Sequence, residues 1–325
     1  MQLWGFCAIV EGFSMENLLI SFNVVAPLFL LLAVGILLRK LGMISPQTES
    51  QMNNLVFRCF LPLLLFHNII SSEPGSFQPT LLIFCVAAVL AMYALSFCIT
   101  LPLEKENSRR GVLIQAMFRS NFVLFGLPVT VSLFGQETAG TASLMIAVVV
   151  PLFNMLSVTA LEIFRGGAIR PGKILRGIFT NPLILASLLG LAFLFLGLRL
   201  PAFLESAVSD LAGVATPLAF VVLGASFRFS DMRNYPRQLF LGLSVRLVLF
   251  PALFLPVAAA LGFRGPEMAA ALAMLASPTA VCSFTMARQM GGDSALAGQL
   301  VIFGTLLSLF TMFLWVFGLK QVGLL

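Results

Sequence analysis

Long apolar runs alternate with short polar breaks along the whole chain. Ten such runs, at 18–38, 50–70, 79–101, 110–134, 140–163, 174–198, 203–226, 237–261, 267–289 and 294–318, are each long enough to cross ~30 Å of hydrocarbon as a helix. The breaks, among them LGMISPQTES, SSEPGSFQP, LEKENSRRG, RGGAIRPGK and RFSDMRNYPR, gather Gly, Pro, Ser and charge, as connections between helices do. None is long enough to hold a separate soluble domain. The pattern predicts an all-α polytopic membrane protein with ten transmembrane helices.

Composition agrees with the pattern. Of 325 residues, 59% are apolar and 10% charged, where a soluble domain carries about 25% charged residues. Most of the exterior is therefore expected to face the lipid bilayer. The net charge of +6 is spread in small clusters between apolar runs, which argues against a nucleic-acid surface. Those clusters alternate. Arg39, Lys40, Lys105, Arg109, Arg110, Arg165, Arg170, Lys173, Arg176, Arg228, Arg233, Arg237 and Arg288 lie in one set of breaks, against Arg199, Arg264 and Lys320 in the other. Cytoplasmic loops hold the Lys/Arg excess, so both termini are expected on the non-cytoplasmic side of the cell's inner (plasma) membrane. Residues 1–17 are taken as an N-terminal extension without the basic start of a signal peptide, Met15 being the more natural opening.

The chain also repeats. A shift of 155 residues pairs Pro27 with Pro182, Gly35 with Gly190, Leu41-Gly42 with Leu196-Gly197, Pro46 with Pro201 and Pro62 with Pro217. Two more residues of shift pair Met117 with Met274, Ser120 with Ser277, Gly135 with Gly292 and Phe153 with Phe310. Residues 18–163 and 174–320 are thus two repeats of five spans. Because five is odd, the second copy enters the membrane from the opposite side, giving the inverted repeat of secondary transporters. In such folds the substrate sits near the bilayer midplane between broken helices. The fourth span of each half carries matched breakers: Ser120, Asn121, Gly126 and Pro128 in MFRSNFVLFGLPVTV, and Ser277, Pro278 and Thr279 in MLASPTAVCSFTM. Spans 4 and 9 are expected to be broken and to cross.

RSNFVLFGLPV, TNPLILASLLGLAF, TPLAFVVLGASF, RLVLFPALFLP and SPTAVCSFTMARQMGGDSALAGQLVIFGTLLSL resemble, in order and in place, the auxin efflux carrier family, which includes bacterial malonate transporters. The similarity covers residues 15 to 320. The resemblance implies a five-plus-five inverted repeat with crossing fourth and ninth helices, transport of small carboxylates, and association as a homodimer. It puts Asn121 at the first crossover and Pro278 at the second. The first crossover lacks the Asn-Pro-Asn of the plant exporters, which counts against indole-3-acetate as substrate.

Ionisable groups inside spans are costly and mark function or special packing. Arg246 is the deepest: it either attracts a carboxylate substrate or donates to carbonyls freed at a broken helix. If it proved to face packed carbonyls, a neutral or cationic solute would be favoured. Arg119 adjoins the first break and either joins the site or snorkels inward, while Arg58 is expected to snorkel. His67 and Asn68 form either a proton-sensitive pair or an ordinary interfacial helix end. Asn154 is expected to hydrogen-bond between helices, or to touch substrate if it lies beside the crossover. The carboxylates cluster in breaks and at span ends, Glu162 included, so Arg, amides, hydroxyls and helix N-termini suit an anion better than a buried proton relay does.

Enzymatic motifs are missing from the sequence. One histidine cannot make HExxH, no GxSxG occurs, the four lysines lie outside the spans, and the five cysteines show neither CxxC nor pairing with histidine, so no metal site is expected. No phosphate-binding loop is present, so no cofactor is expected, the coupling ion being H+ or Na+. The sequence therefore predicts a secondary active transporter of small organic anions, such as malonate, related acids or auxin-like acids, working by alternating access. The alternatives are a channel or sensory membrane protein on the same scaffold, or a carrier of a neutral solute.

Overall fold

The computed structural model describes residues 15–71, 79–122, 137–166, 172, 176, 179–227 and 234–325, with side chains described outside 15–25, 137–144 and 146–147. Among these residues the chain is helical throughout, with no strand. The helices are α1 (Met15–Lys40), α2 (Pro46–Ile70), α3 (Pro79–Leu103), α4 (Asn107–Phe118), α5 (Glu137–Phe164), α6 (Pro182–Phe195), α7 (Ala202–Ser226), α8 (Pro236–Ala260), α9 (Gly265–Ala276), α10 (Cys282–Gln289) and α11 (Ser294–Gln321). Five of them, α2, α3, α7, α8 and α11, are 25 to 28 residues long with mean hydropathy between 1.3 and 2.6, sufficient to cross a bilayer.

Local chemistry sets the helix starts. Ser45 accepts a hydrogen bond from the Thr48 N–H at 3.1 Å ahead of Pro46, Asn181 accepts from Leu183 ahead of Pro182, and Asp293 accepts from Leu296 ahead of α11. The Asn181 cap corrects the sixth expected span, 174–198: the helix that carries it begins at Pro182. Pro27, paired with Pro182 by the sequence shift, instead lies inside the continuous α1.

Two long helices contain a π-turn, Val56–Phe60 in α2 and Val245–Leu249 in α8, each followed by an X-Pro pair. Proline supplies no N–H to the carbonyl four residues back and crowds it, so the ladder widens locally. In α8 the carbonyl opposite Pro251 belongs to Leu247, and it is taken instead by the indole N–H of Trp315 at 3.0 Å.

Packing depends on small residues where backbones meet, as expected without a hydrophobic drive between helices in lipid. A methyl group on Gly35 would collide with the Val221 carbonyl, and one on Gly224 with the Leu32 carbonyl, so α1 and α7 touch main chain to main chain. Apolar faces point outward elsewhere: Phe195 on α6 is 80% exposed and Phe240 on α8 is 77% exposed. The two 12-residue helices are the exception. Gly111–Phe118 of α4 and Met268–Ala276 of α9 are buried at every position, so these short helices form the centre of the protein.

One end of the molecule is stapled by charge. Arg39 from the end of α1, Glu49 from the start of α2, Ser226 from the end of α7 and Arg288 from α10 form one network, with Glu49 accepting from Arg288 and Ser226. Beside it Asp293 pairs with Arg109 and accepts from the Tyr235 hydroxyl, and Glu104 accepts from Gln238. These residues all come from the basic set of breaks, so that set shares one face.

Candidate functional site: the crossing of two broken helices

In the fourth expected span the helix ends within the described residues, and the ninth is interrupted near its middle. α4 ends at Phe118 and the chain turns extended at Arg119, with φ −79° and ψ 124°. α9 ends at Ala276 and the chain turns extended at Ser277, with φ −67° and ψ 152°, before α10 begins at Cys282. The two breaks meet. The Asn121 N–H donates to the Pro278 carbonyl at 2.8 Å, and the Thr279 hydroxyl donates to the Ala116 carbonyl at 2.7 Å. Ser120, Asn121, Ser277 and Thr279 are all buried there. Gly126 and Pro128, also expected at the site, lie outside the described residues.

Breaking a helix in the membrane frees carbonyls that must be satisfied within the protein. Arg246 does this for both breaks. Held at 1% exposure by the π-turn of α8, its guanidinium donates to the carbonyls of Ser277 at 2.8 Å and Met274 at 2.8 Å, and to those of Phe118 at 3.3 Å and Met117 at 3.5 Å. Those carbonyls are the C-terminal ends of α9 and α4, where the helix dipole is negative. Of the two roles the sequence left open for Arg246, the structure displays the capping one.

Arg119 has different company. At 3% exposure it donates to the side-chain carbonyl of Asn154 at 2.5 Å, and its other contacts are sulfurs, Met286 at 3.0 Å and Cys282 at 2.9 Å. Among the described residues no carboxylate pairs with it. Several buried polar atoms around it have no hydrogen-bond partner among the described residues: its own Nε, Ser120 Oγ, Asn154 Nδ2, and Gln115 Oε1 one turn earlier on α4. Asn154, on α5, is thus brought beside the crossing. The sequence named Arg119 but did not separate it from a snorkelling residue, because nothing in its spacing shows which groups it meets.

The remaining residues lie elsewhere. Arg58 is exposed and lines a cavity of about 500 Å³ with Glu162, Arg165 and Gln289. His67 is half-buried near the end of α2 remote from Glu49, its Nδ1 without a partner, with Asn68 next to it. A second cavity, of about 300 Å³, opens among Arg39, Glu49, Ser226 and Arg288 and reaches Phe284 of α10 and Gln299 of α11. Glu49 is a buried carboxylate that sequence reasoning passed over as part of a polar break; its Ser45-capped position in the first turn of α2 is the only signal it left. Among the described residues no three His, Cys, Asp or Glu side chains converge as a metal site would require.

Comparison with known proteins agrees with this architecture. Residues 20–316 match the family described as membrane transport protein. The chain is 24% identical over 297 residues to an uncharacterized transporter of Methanothermobacter thermautotrophicus, covering 91% of this chain and 97% of that protein. It is 25% identical over 302 residues to a putative malonate transporter of Rhizobium meliloti (89% and 93% covered), and 23% identical over 351 residues to auxin efflux carrier component 8 of Arabidopsis thaliana (90% and 95%). With almost its whole length matched and two helix ends meeting at its buried centre, the chain belongs to the membrane transport protein family that contains the auxin efflux carriers.

Proposed function

We propose that the protein is a secondary active transporter that moves a small organic anion by alternating access, and not an enzyme or a cofactor-dependent pump. The observation that carries this reading is the crossing itself: two helix breaks, joined by the Asn121–Pro278 main-chain bond, inside a family of membrane transporters. Broken helices give a solute access to backbone dipoles at mid-membrane, where intact helices offer none. The similarity to a putative malonate transporter supports a small carboxylate as the solute.

In this reading the ten spans form two inverted five-helix repeats, 18–163 and 174–320. Helix lengths match in four of the five pairs, 25 residues for α2 and α7, 25 for α3 and α8, 12 for α4 and α9, and 28 for α5 and α11, while α1 and α6 differ at 26 and 14. In the four matched pairs each second member follows its partner by 156 to 158 residues. Ser120, Asn121, Ser277, Pro278 and Thr279 line the passage, with Asn154 at its side and Arg246 holding the two breaks together. The basic face is cytoplasmic, both termini lie on the other side of the inner (plasma) membrane, the working unit is a homodimer, and H+ or Na+ drives the cycle.

A neutral solute is the second reading, favoured by one observation: the donors of Arg246 are directed at carbonyls. Uptake into proteoliposomes decides between them. Labelled malonate, malate, lactate and indole-3-acetate are offered beside a neutral polyol under imposed H+ or Na+ gradients, with Asn121→Ala run beside wild type. Saturable, exchangeable uptake of one acid, reduced at least tenfold by Asn121→Ala, is the expected result. Uptake of the polyol alone would replace the anion by a neutral solute, and conductance far above carrier turnover would make the protein a channel.

A further inference from the structure

Arg119 is a buried cation with no counter-anion among the described residues, and that imbalance has a location. Its guanidinium touches Cys282, the first residue of α10, whose helix N-terminus is itself a positive end. A guanidinium beside a positive helix end, inside the protein, is repelled unless an anion joins them. Arg246 shows the opposite arrangement at the same crossing, a cation among the negative C-terminal ends of α4 and α9.

The atoms around Arg119 are also those an anion would need. Arg119 Nε, Asn154 Nδ2 and the Ser120 hydroxyl are buried donors with no partner among the described residues, where buried polar groups are otherwise almost always satisfied. Asn154 accepts from Arg119 through Oδ1, which fixes the amide and leaves its Nδ2 donors free beside the guanidinium. A carboxylate offers two acceptor oxygens and one negative charge, the complement of a guanidinium edge flanked by an amide and a hydroxyl. Sulfur atoms of Met286 and Cys282 are weak acceptors and do not replace it.

From this we infer that Arg119 is the substrate-binding cation of the protein, gripping the solute's carboxylate together with Asn154, Ser120 and the N-terminus of α10, while Arg246 caps the helix breaks. The inference rests on the carboxylate-transport reading and names the group that recognises the acid. It also removes the objection raised by Arg246, since the positive charge needed for an anion is supplied by a different residue.

The half-buried Cys282 reports on this site. In full-length protein reconstituted in nanodiscs, with the other four cysteines changed to alanine, malonate is expected to slow alkylation of Cys282 by N-ethylmaleimide at constant ionic strength, and glycerol to leave it unchanged. Arg119→Gln is expected to raise the malonate concentration for half-protection at least tenfold, and Arg119→Lys to recover part of the loss. Asn154→Asp places a carboxylate beside Arg119 in place of the solute's, so it should keep the protein folded and abolish protection; this variant decides the matter if Arg119→Gln fails to fold. Unchanged half-protection in Arg119→Gln or Asn154→Asp overturns the inference, as does the absence of protection in wild type. Malonate uptake in proteoliposomes without protection of Cys282 would leave the transport reading standing and remove Arg119 from it. Protection without uptake would do the reverse.

Discussion

Two arginines lie within the same helix crossing, and their surroundings differ in sign. Arg246 faces four carbonyls at the C-terminal ends of α4 and α9. Arg119 faces one amide oxygen, two sulfurs and the N-terminal end of α10. The first has its charge balanced by helix dipoles and its donors by main-chain acceptors, so it serves as part of the fold. Among the described residues the second is balanced by neither, and it is there that the anion site is proposed. Depth in the membrane does not separate a structural ion from a functional one; what surrounds it does.

The largest expected effect tests the structural half of this contrast. Arg246→Ala leaves four carbonyls at two buried helix ends without a donor, and should lower stability by about 3–5 kcal/mol, the range for removing one partner of a buried charged arrangement. A melting curve of the purified protein reads this directly, and a variant that melts with wild type would end the assignment of Arg246 as a cap. Arg119→Gln, by contrast, should cost less than Arg246→Ala in the absence of solute, because it gives up one amide oxygen and two sulfurs and leaves no helix-end carbonyl without its donor.

An intermediate effect is expected from Glu49→Gln. Glu49 accepts from Arg288 at the far end of α10 from Cys282, so the cation at this end of the helix is neutralised, while Arg119 at the other end is not paired with a carboxylate among the described residues. Removing the carboxylate charge weakens charge-assisted hydrogen bonds, and a loss of about 2 kcal/mol follows. It should also make Arg288 more open to dicarbonyl reagents. Equal labelling of wild type and variant would mean that the network does not hold α10.

The smallest effect belongs to Thr279→Val, which removes the hydroxyl donated to the Ala116 carbonyl and keeps the side-chain shape. About 1 kcal/mol is expected. A melting curve reads this; a variant that melts with wild type would mean that the Thr279–Ala116 bond does not hold the two breaks together.

Much of the fold was legible in the chain because membranes constrain sequence so strongly. Apolar runs of about twenty residues have few other structures open to them, Lys/Arg clusters mark one set of connections, and Pro, Ser and Asn in corresponding spans mark helix breaks. The break at Ser277-Pro278-Thr279 was visible because proline cannot continue the ladder. The π-turns were not foreseen, although both precede an X-Pro pair, because a proline after a widened turn and one that kinks a helix leave the same trace in sequence. The sixth span was drawn too long for a related reason: hydropathy continues across Asn181-Pro182, while the cap that starts the helix is a single hydrogen bond.

The sequence alone therefore determined that the chain is a polytopic helical membrane protein and where the chain leaves the helix at Ser277-Pro278, since these follow from local composition and the cost of unsatisfied backbone in lipid. Only the tertiary structure decided which groups each buried arginine meets. Arg119 and Arg246 are 127 positions apart and carry the same group, and the carbonyls, sulfurs and unpartnered donors around them come from α4, α5, α9 and α10, elements whose meeting no local pattern encodes.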